Sequence, residues 1–200
     1  MSSVINIIKD ICHKFFVETV KKFKDYIFYF ACVLYADVVT VKKDKNYKID
    51  FTQNEKTFKS ELGKIENQCG GDGAEDWVSG FRIALNDLNW GNGTKLIFHI
   101  TDAPQHGKHF NVDEVNDDLL KDKNDTQGEQ LIELIKVCSK RNIKITGISI
   151  GKVASFKVFK EEYEKVKGPQ YEIIEITETE IKKENNYINK KMFNIIEKCI

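Results

Sequence analysis

Two hundred residues, 41% hydrophobic and 31% charged, make one ordinary globular domain with enough apolar side chain for a real core. Thirty-one basic residues balance thirty-one acidic ones, and that zero net charge argues against a broad electropositive surface for nucleic acid or an anionic membrane. The longest nearly apolar run, residues 27 to 36, is about half of what a bilayer-spanning helix needs, and no compact apolar block opens the chain as in a secretion signal.

A cytoplasmic protein with neither membrane nor nucleic-acid partner is therefore expected. Five cysteines, Cys12, Cys32, Cys69, Cys138 and Cys199, are odd in number and lack the paired spacing of zinc or redox motifs, so they read as reduced structural thiols.

Val4, Ile5, Ile7, Ile8, Ile11, Phe15, Phe16, Val20 and Phe23 recur at three- and four-residue spacing, which predicts an amphipathic helix over 3–24. The aromatic-rich run from Ile27 to Tyr35 predicts a strand covered on both faces, at the centre of a sheet. A charged turn leads to a shorter strand, Tyr47 to Phe51, and then to a helix on Phe58, Leu62 and Ile65 with Thr52 or Asn54 as its cap.

After a glycine pair, Trp77, Val78, Phe81, Ile83, Ala84, Leu85 and Leu88 predict another helix, and the turn Asn89-Trp90-Gly91-Asn92-Gly93 leads to an apolar strand from Lys95 to Thr101. Residues 111–130 form a polar insertion whose carboxylates are expected to be mostly in solvent, with some helix near Val112 to Leu120. A helix from Gly128 to Arg141, a β-branched strand from Ile143 to Gly151, a helix over 153–167, a strand from Tyr171 to Ile176 and a closing helix from Glu178 complete the pattern. The closing helix carries Lys182, Lys183, Lys190 and Lys191 interspersed with Glu and Asn, a solvated face.

Alternating strands and helices define an α/β fold, a Rossmann-like three-layer sandwich around a mostly parallel sheet. Ligands of such sheets bind outside the carboxyl ends of the strands, which is where Asp102 falls, at the end of Lys95-Leu96-Ile97-Phe98-His99-Ile100-Thr101-Asp102. His99, inside that apolar strand, reads as a core histidine with its hydrogen bonds satisfied. Walker, dinucleotide, nucleophile-elbow and kinase motifs are missing, which points away from an enzyme.

Two stretches resemble the von Willebrand factor type A (VWA) domains, and within them the variant of integrin beta subunits and alpha-kinase-associated proteins. Gly70-Gly71-Asp72-Gly73-Ala74-Glu75-Asp76 is similar to that variant's Gly-Gly-x-Asp-x-Pro-Glu-Asp loop, with Ala74 in place of Pro, and Phe98-His99-Ile100-Thr101-Asp102-Ala103 to its strand ending Thr-Asp-Ala. The resemblance covers residues 1–176, with 177–200 as a helix packing on or extending from that domain.

It implies a non-enzymatic protein-interaction module with a metal-ion-dependent adhesion site, in which Mg²⁺ is completed by a partner protein's carboxylate. Glu75 and Asp102 match residues around that metal, and Asp72 and Asp37 the carboxylates of an adjacent calcium site. The family's site begins with Asp-x-Ser/Thr-x-Ser at the end of a first strand, followed by Met. Met1 stands at that Met, so the N-terminal strand is missing from this sequence. Either more chain precedes Met1 in the natural protein, or the domain is a truncated one that lacks its central strand.

Two other readings stay open. Asp102, His106 and His109 form Asp-x3-His-x2-His, which could hold a transition metal in a hydrolase-like site. The chain could also be the detached regulatory part of a larger signalling protein of the alpha-kinase type, although nothing after Ile176 resembles a kinase.

Overall fold

The computed structural model describes residues 2–37, 46–66, 72–112, 115–117, 125–169, 171–183 and 185–200. The amphipathic N-terminal pattern forms α1 (Ser2–Lys22), which leads into β1 (Phe30–Leu34); β2 (Tyr47–Thr52), α2 (Glu55–Lys64) and α3 (Trp77–Asn86) follow. Then come β3 (Lys95–Thr101), α4 (Thr126–Lys140), β4 (Ile143–Ile150), α5 (Ser155–Lys165), β5 (Tyr171–Ile176), α6 (Glu178–Lys183) and α7 (Asn185–Glu197).

Local chemistry sets the helix starts. Asn54 caps α2 by accepting from the Thr57 amide at 3.1 Å, and Asp76 caps α3 by accepting from the Ser79 amide at 2.9 Å. Each satisfies one of the amide donors that a helix N-terminus leaves without a partner.

The strands do not make one sheet. β3, β4 and β5 form a parallel sheet in the order β3-β4-β5, in register from Lys95 opposite Ile143 and from Ile145 opposite Tyr171. β1 pairs only with β2, antiparallel, in a separate two-stranded sheet. The expectation that residues 27–35 form a strand at the centre of a sheet is thus corrected. The strand is shorter, every residue in it is half-buried, and among the described residues one of its edges has no strand beside it. Its apolar run reflects packing on both faces, and a run of side chains says nothing about what lies alongside the backbone.

Three apolar clusters hold the layers together. Under α3, α4 and α5, Trp77, Phe81, Leu131, Ile135, Phe156 and Phe159 pack on one face of the parallel sheet. On the other face, Ile11 and Phe15 of α1 meet Ile188, Met192 and Ile196 of α7 over Ile148 and Ile174. The closing segment is divided into α6 and α7, and it packs on the domain through that second cluster. A third cluster joins α1 and α2 to the small sheet through Phe16, Phe58, Leu62 and Ile49.

Burying a large side chain contributes about 1.5–3 kcal/mol, so the three clusters together exceed the ~5–15 kcal/mol net stability of a domain several-fold before chain entropy is subtracted. Gly147, inside β4, shows how tight the first cluster is: a Cβ there would lie 2.5 Å from the Phe156 ring. Cys12, Cys32, Cys138 and Cys199 are free thiols, whereas Cys69, with Gly70 and Gly71, lies outside the described residues.

Candidate functional site

The site is built from two loops zipped to each other. β3 ends at Thr101, and the chain turns through Asp102 to Gly107 beside the loop that runs from Asp72 into α3. The Glu75 amide donates to the Pro104 carbonyl at 2.8 Å and the His106 amide to the Glu75 carbonyl at 3.3 Å. Gln105, fully buried, accepts from the Val78 amide, and the Trp77 indole donates to the Ala103 carbonyl at 3.2 Å. Backbone pairing therefore fixes Glu75 and Asp102 on one rim at the carboxyl end of β3.

Four carboxylates predicted from sequence come together here. Asp37, three residues past β1, is fully buried; Asp72 and Glu75 are half-buried; Asp102 is exposed. Asp72 folds back to accept from the Ala74 amide at 3.0 Å. Burial raises the Glu75 carboxyl to about 7, and the charges of Asp37, Asp102 and Asp72 add to that rise against an opposing pull from His106. Its Oε2 is buried and has no hydrogen-bond partner among the described residues. Oxygens from Asp37 and Asp72 and a nitrogen of His106 lie within 4.8 Å of one another, close enough for one ion to touch all three.

His106 is the residue that the sequence reading placed elsewhere. It is fully buried, with Nε2 3.0 Å from Asp37 and Nδ1 2.9 Å from Asp117. Burial pulls its pKa down, but the hydrogen bonds and charges of Asp117 and Asp37 outweigh that and hold it above the ordinary histidine value. His109 faces away, to Glu162 at 3.0 Å. Among the described residues Asp102, His106 and His109 form no common ligand set, so the transition-metal reading of those three is corrected: His106 turns to Asp37 and Asp117, partners that the local spacing could not reveal, and His109 to Glu162.

Asp117 is an exception in the polar insertion whose carboxylates are expected mostly in solvent: it is buried and also accepts from the Gly107 amide at 2.8 Å. The helix expected near 112–120 falls mostly outside the described residues.

His99 is buried as expected but only half-satisfied. Nε2 meets the Tyr35 hydroxyl at 2.7 Å, whereas Nδ1 is buried and has no hydrogen-bond partner among the described residues. The rings of Trp77, Phe81 and Phe156 surround it with centroids 4.4, 5.2 and 5.2 Å away, and burial there lowers its pKa to about 3.

With this geometry the arrangement can be set beside known proteins. No protein-family model and no curated protein matches the sequence. The fold is similar to that in the crystal structure of the SpRpn10 VWA domain, with a TM-score of 0.55 and 15% identity over 86% of this chain and 76% of that one. The chain thus has a VWA-like mixed α/β fold, a parallel three-stranded sheet flanked by helices. At that identity the likeness is one of fold, and it does not extend to the integrin-like variant. No helix among the described residues is long and apolar enough to cross a membrane.

Proposed function

We propose that this chain is a non-enzymatic protein-interaction module whose contact surface is the face around Glu75 and Asp102, and that a divalent cation held there recognises a carboxylate on the partner. The observation that carries this reading is the set of Asp37, Asp72 and His106 ligand atoms within 4.8 Å of one another, with the charge-coupled Glu75 offering a buried Oε2 that has no hydrogen-bond partner among the described residues. A carboxylate left unpaired at low exposure is costly, and a cation relieves that cost.

The donor set fits such an ion. Asp37 and Asp72 offer oxygens, with Glu75 charge-coupled to both, while Asp117 on Nδ1 would orient His106 with Nε2 toward the ion, as an outer carboxylate does for a ligating imidazole. Mg²⁺ takes oxygen ligands by preference, so the imidazole shifts the expected ion from Mg²⁺ toward Mn²⁺. Exposed Asp102 is placed to hold a water of the ion or to meet the partner. The VWA-like fold supports the interaction reading, since its known members most often bind proteins.

Calorimetric titration with Mn²⁺ tests the site: one ion per chain, lost in both Glu75→Gln and Asp37→Asn, is the expected result. Water-proton relaxation by the bound Mn²⁺ then tests recognition, with acetate as the probe carboxylate. Acetate should displace a bound water and lower the relaxation. An ion that binds but ignores acetate would refute carboxylate recognition, and no ion at millimolar Mn²⁺ would refute the site.

A further inference from the structure

The turn ahead of β3 carries chemistry that the proposed cation site does not use. Asn92-Gly93 is the single Asn-Gly pair in the sequence, and it lies at the amino end of β3, whereas Asp102 lies just past the carboxyl end. In such a pair the backbone nitrogen of the second residue can attack the side-chain amide of the first. Glycine favours that attack, because it has no Cβ to crowd the nitrogen and leaves the backbone free to turn.

The base of the turn is held and its tip is open. Trp90 meets Phe51 edge-on with centroids 4.9 Å apart, its indole donates to the Ala84 carbonyl at 2.6 Å, and β3 starts with Lys95 opposite Ile143. Between those anchors Gly91, Asn92, Gly93 and Thr94 are all exposed, and a Cβ added at Gly93 would meet no atom within 4 Å. Among the described residues neither the Asn92 side chain nor the Gly93 amide has a hydrogen-bond partner to hold it. Asparagines elsewhere are restrained or crowded: Asn54 caps α2, Asn111 and Asn189 are buried, and Asn89 precedes the bulky Trp90.

Local charge adds to this. Asn92 and Gly93 line a small cleft of about 330 Å³ together with Thr94, Lys95, Asn142 and Lys144. Lys95 Nζ lies 3.5 Å from the Gly93 carbonyl, and Lys144 donates to the Cys199 thiol at 3.3 Å rather than to a carboxylate. Two ammonium groups on one cleft favour negative charge there, first on the Gly93 nitrogen as it loses its proton and then on any carboxylate that replaces the Asn92 amide.

We infer that Asn92 is a modification site, at which the folded chain converts this asparagine into aspartate and isoaspartate with water as the co-reactant. The Gly93 nitrogen gives up its proton and bonds to Asn92 Cγ, the C–N bond of the side-chain amide breaks, and ammonia leaves with that proton. Water then opens the resulting succinimide at either carbonyl, and no electron is gained or lost. Opening at the Asn92 backbone carbonyl routes the main chain through Cγ, which lengthens the turn by a methylene immediately before β3. Either product places a new carboxylate on the cleft that Lys95 and Lys144 line.

The test incubates the whole folded chain in warm neutral buffer and maps it by mass spectrometry after tryptic cleavage at Arg82 and Lys95, beside the isolated peptide of residues 83–95 treated alike. That peptide also holds Asn86 and Asn89, which serve as internal references. The exchange of amide for carboxyl should appear at Asn92 as two products, aspartate and isoaspartate, at a rate within about tenfold of the free peptide's, and Gly93→Ala should slow it by about tenfold or more. A route through the unfolded chain would be slower than the peptide by the unfolded fraction, on the order of a thousandfold or more, so the rate separates the two. Conversion in the folded chain more than about tenfold slower than in the peptide shows that the fold protects the turn, and overturns the proposal. Conversion that spreads equally over Asn86, Asn89 and Asn92, or that Gly93→Ala slows by less than that factor, overturns it as well.

Discussion

His99 makes acid stability measurable at one residue. Its folded pKa of about 3 lies below the unfolded value of 6.5, so the unfolded chain binds the extra proton first. The neutral buried ring therefore contributes fully above pH 6.5, and stability falls as pH drops from there toward 3. By pH 5 this linkage removes about 2 kcal/mol, and it would reach about 5 kcal/mol if the fold survived to pH 3.

His99→Phe removes the titration and fits among Trp77, Phe81 and Phe156. It costs the Tyr35 hydroxyl one hydrogen bond but also removes the unpaired Nδ1, so stability at pH 7.5 should change by no more than about 1 kcal/mol. Urea unfolding of both proteins at pH 7.5 and 5.0, followed by tryptophan fluorescence, isolates the effect because every other titrating group is common to the two. The natural protein should lose about 2 kcal/mol more than the variant between those pH values. Equal losses, within about 0.5 kcal/mol, would refute the reasoning.

Glu75 runs the other way: its folded pKa of about 7 exceeds the ordinary 4.5, so stability falls as pH rises between those values, and Glu75→Gln should recover up to about 3 kcal/mol at pH 8 in the same unfolding assay. His106→Leu leaves Asp37 and Asp117 as buried carboxylates without their cation and should cost about 3–5 kcal/mol near pH 6. Because the His106 pKa is raised, its contribution is complete below 6.5 and fades as pH climbs through the folded value, so that gap should narrow in alkaline unfolding curves. Gly147→Ala forces a methyl against Phe156 and the Tyr171 hydroxyl and should lower stability by about 1–3 kcal/mol, read as a drop in melting temperature.

What the sequence made legible were features that repeat or cap. The 3.6-residue spacing of Ile8, Ile11 and Phe15 and the β-branched run from Ile143 to Ile150 located α1 and β4, and of the two cap candidates for α2, Thr52 and Asn54, it is Asn54 that caps it. Of the four carboxylates singled out, Asp37 and Asp72 bring ligand atoms within 4.8 Å of His106, which the sequence pattern had grouped with Asp102 and His109. What was hidden depends on long-range pairing. The His106 partners are 69 and 11 positions away, and Asp117 sits in a tract whose composition says only that it is polar. Likewise, whether β1 has a neighbour on its second edge is a property of backbone pairing, which side-chain pattern does not encode.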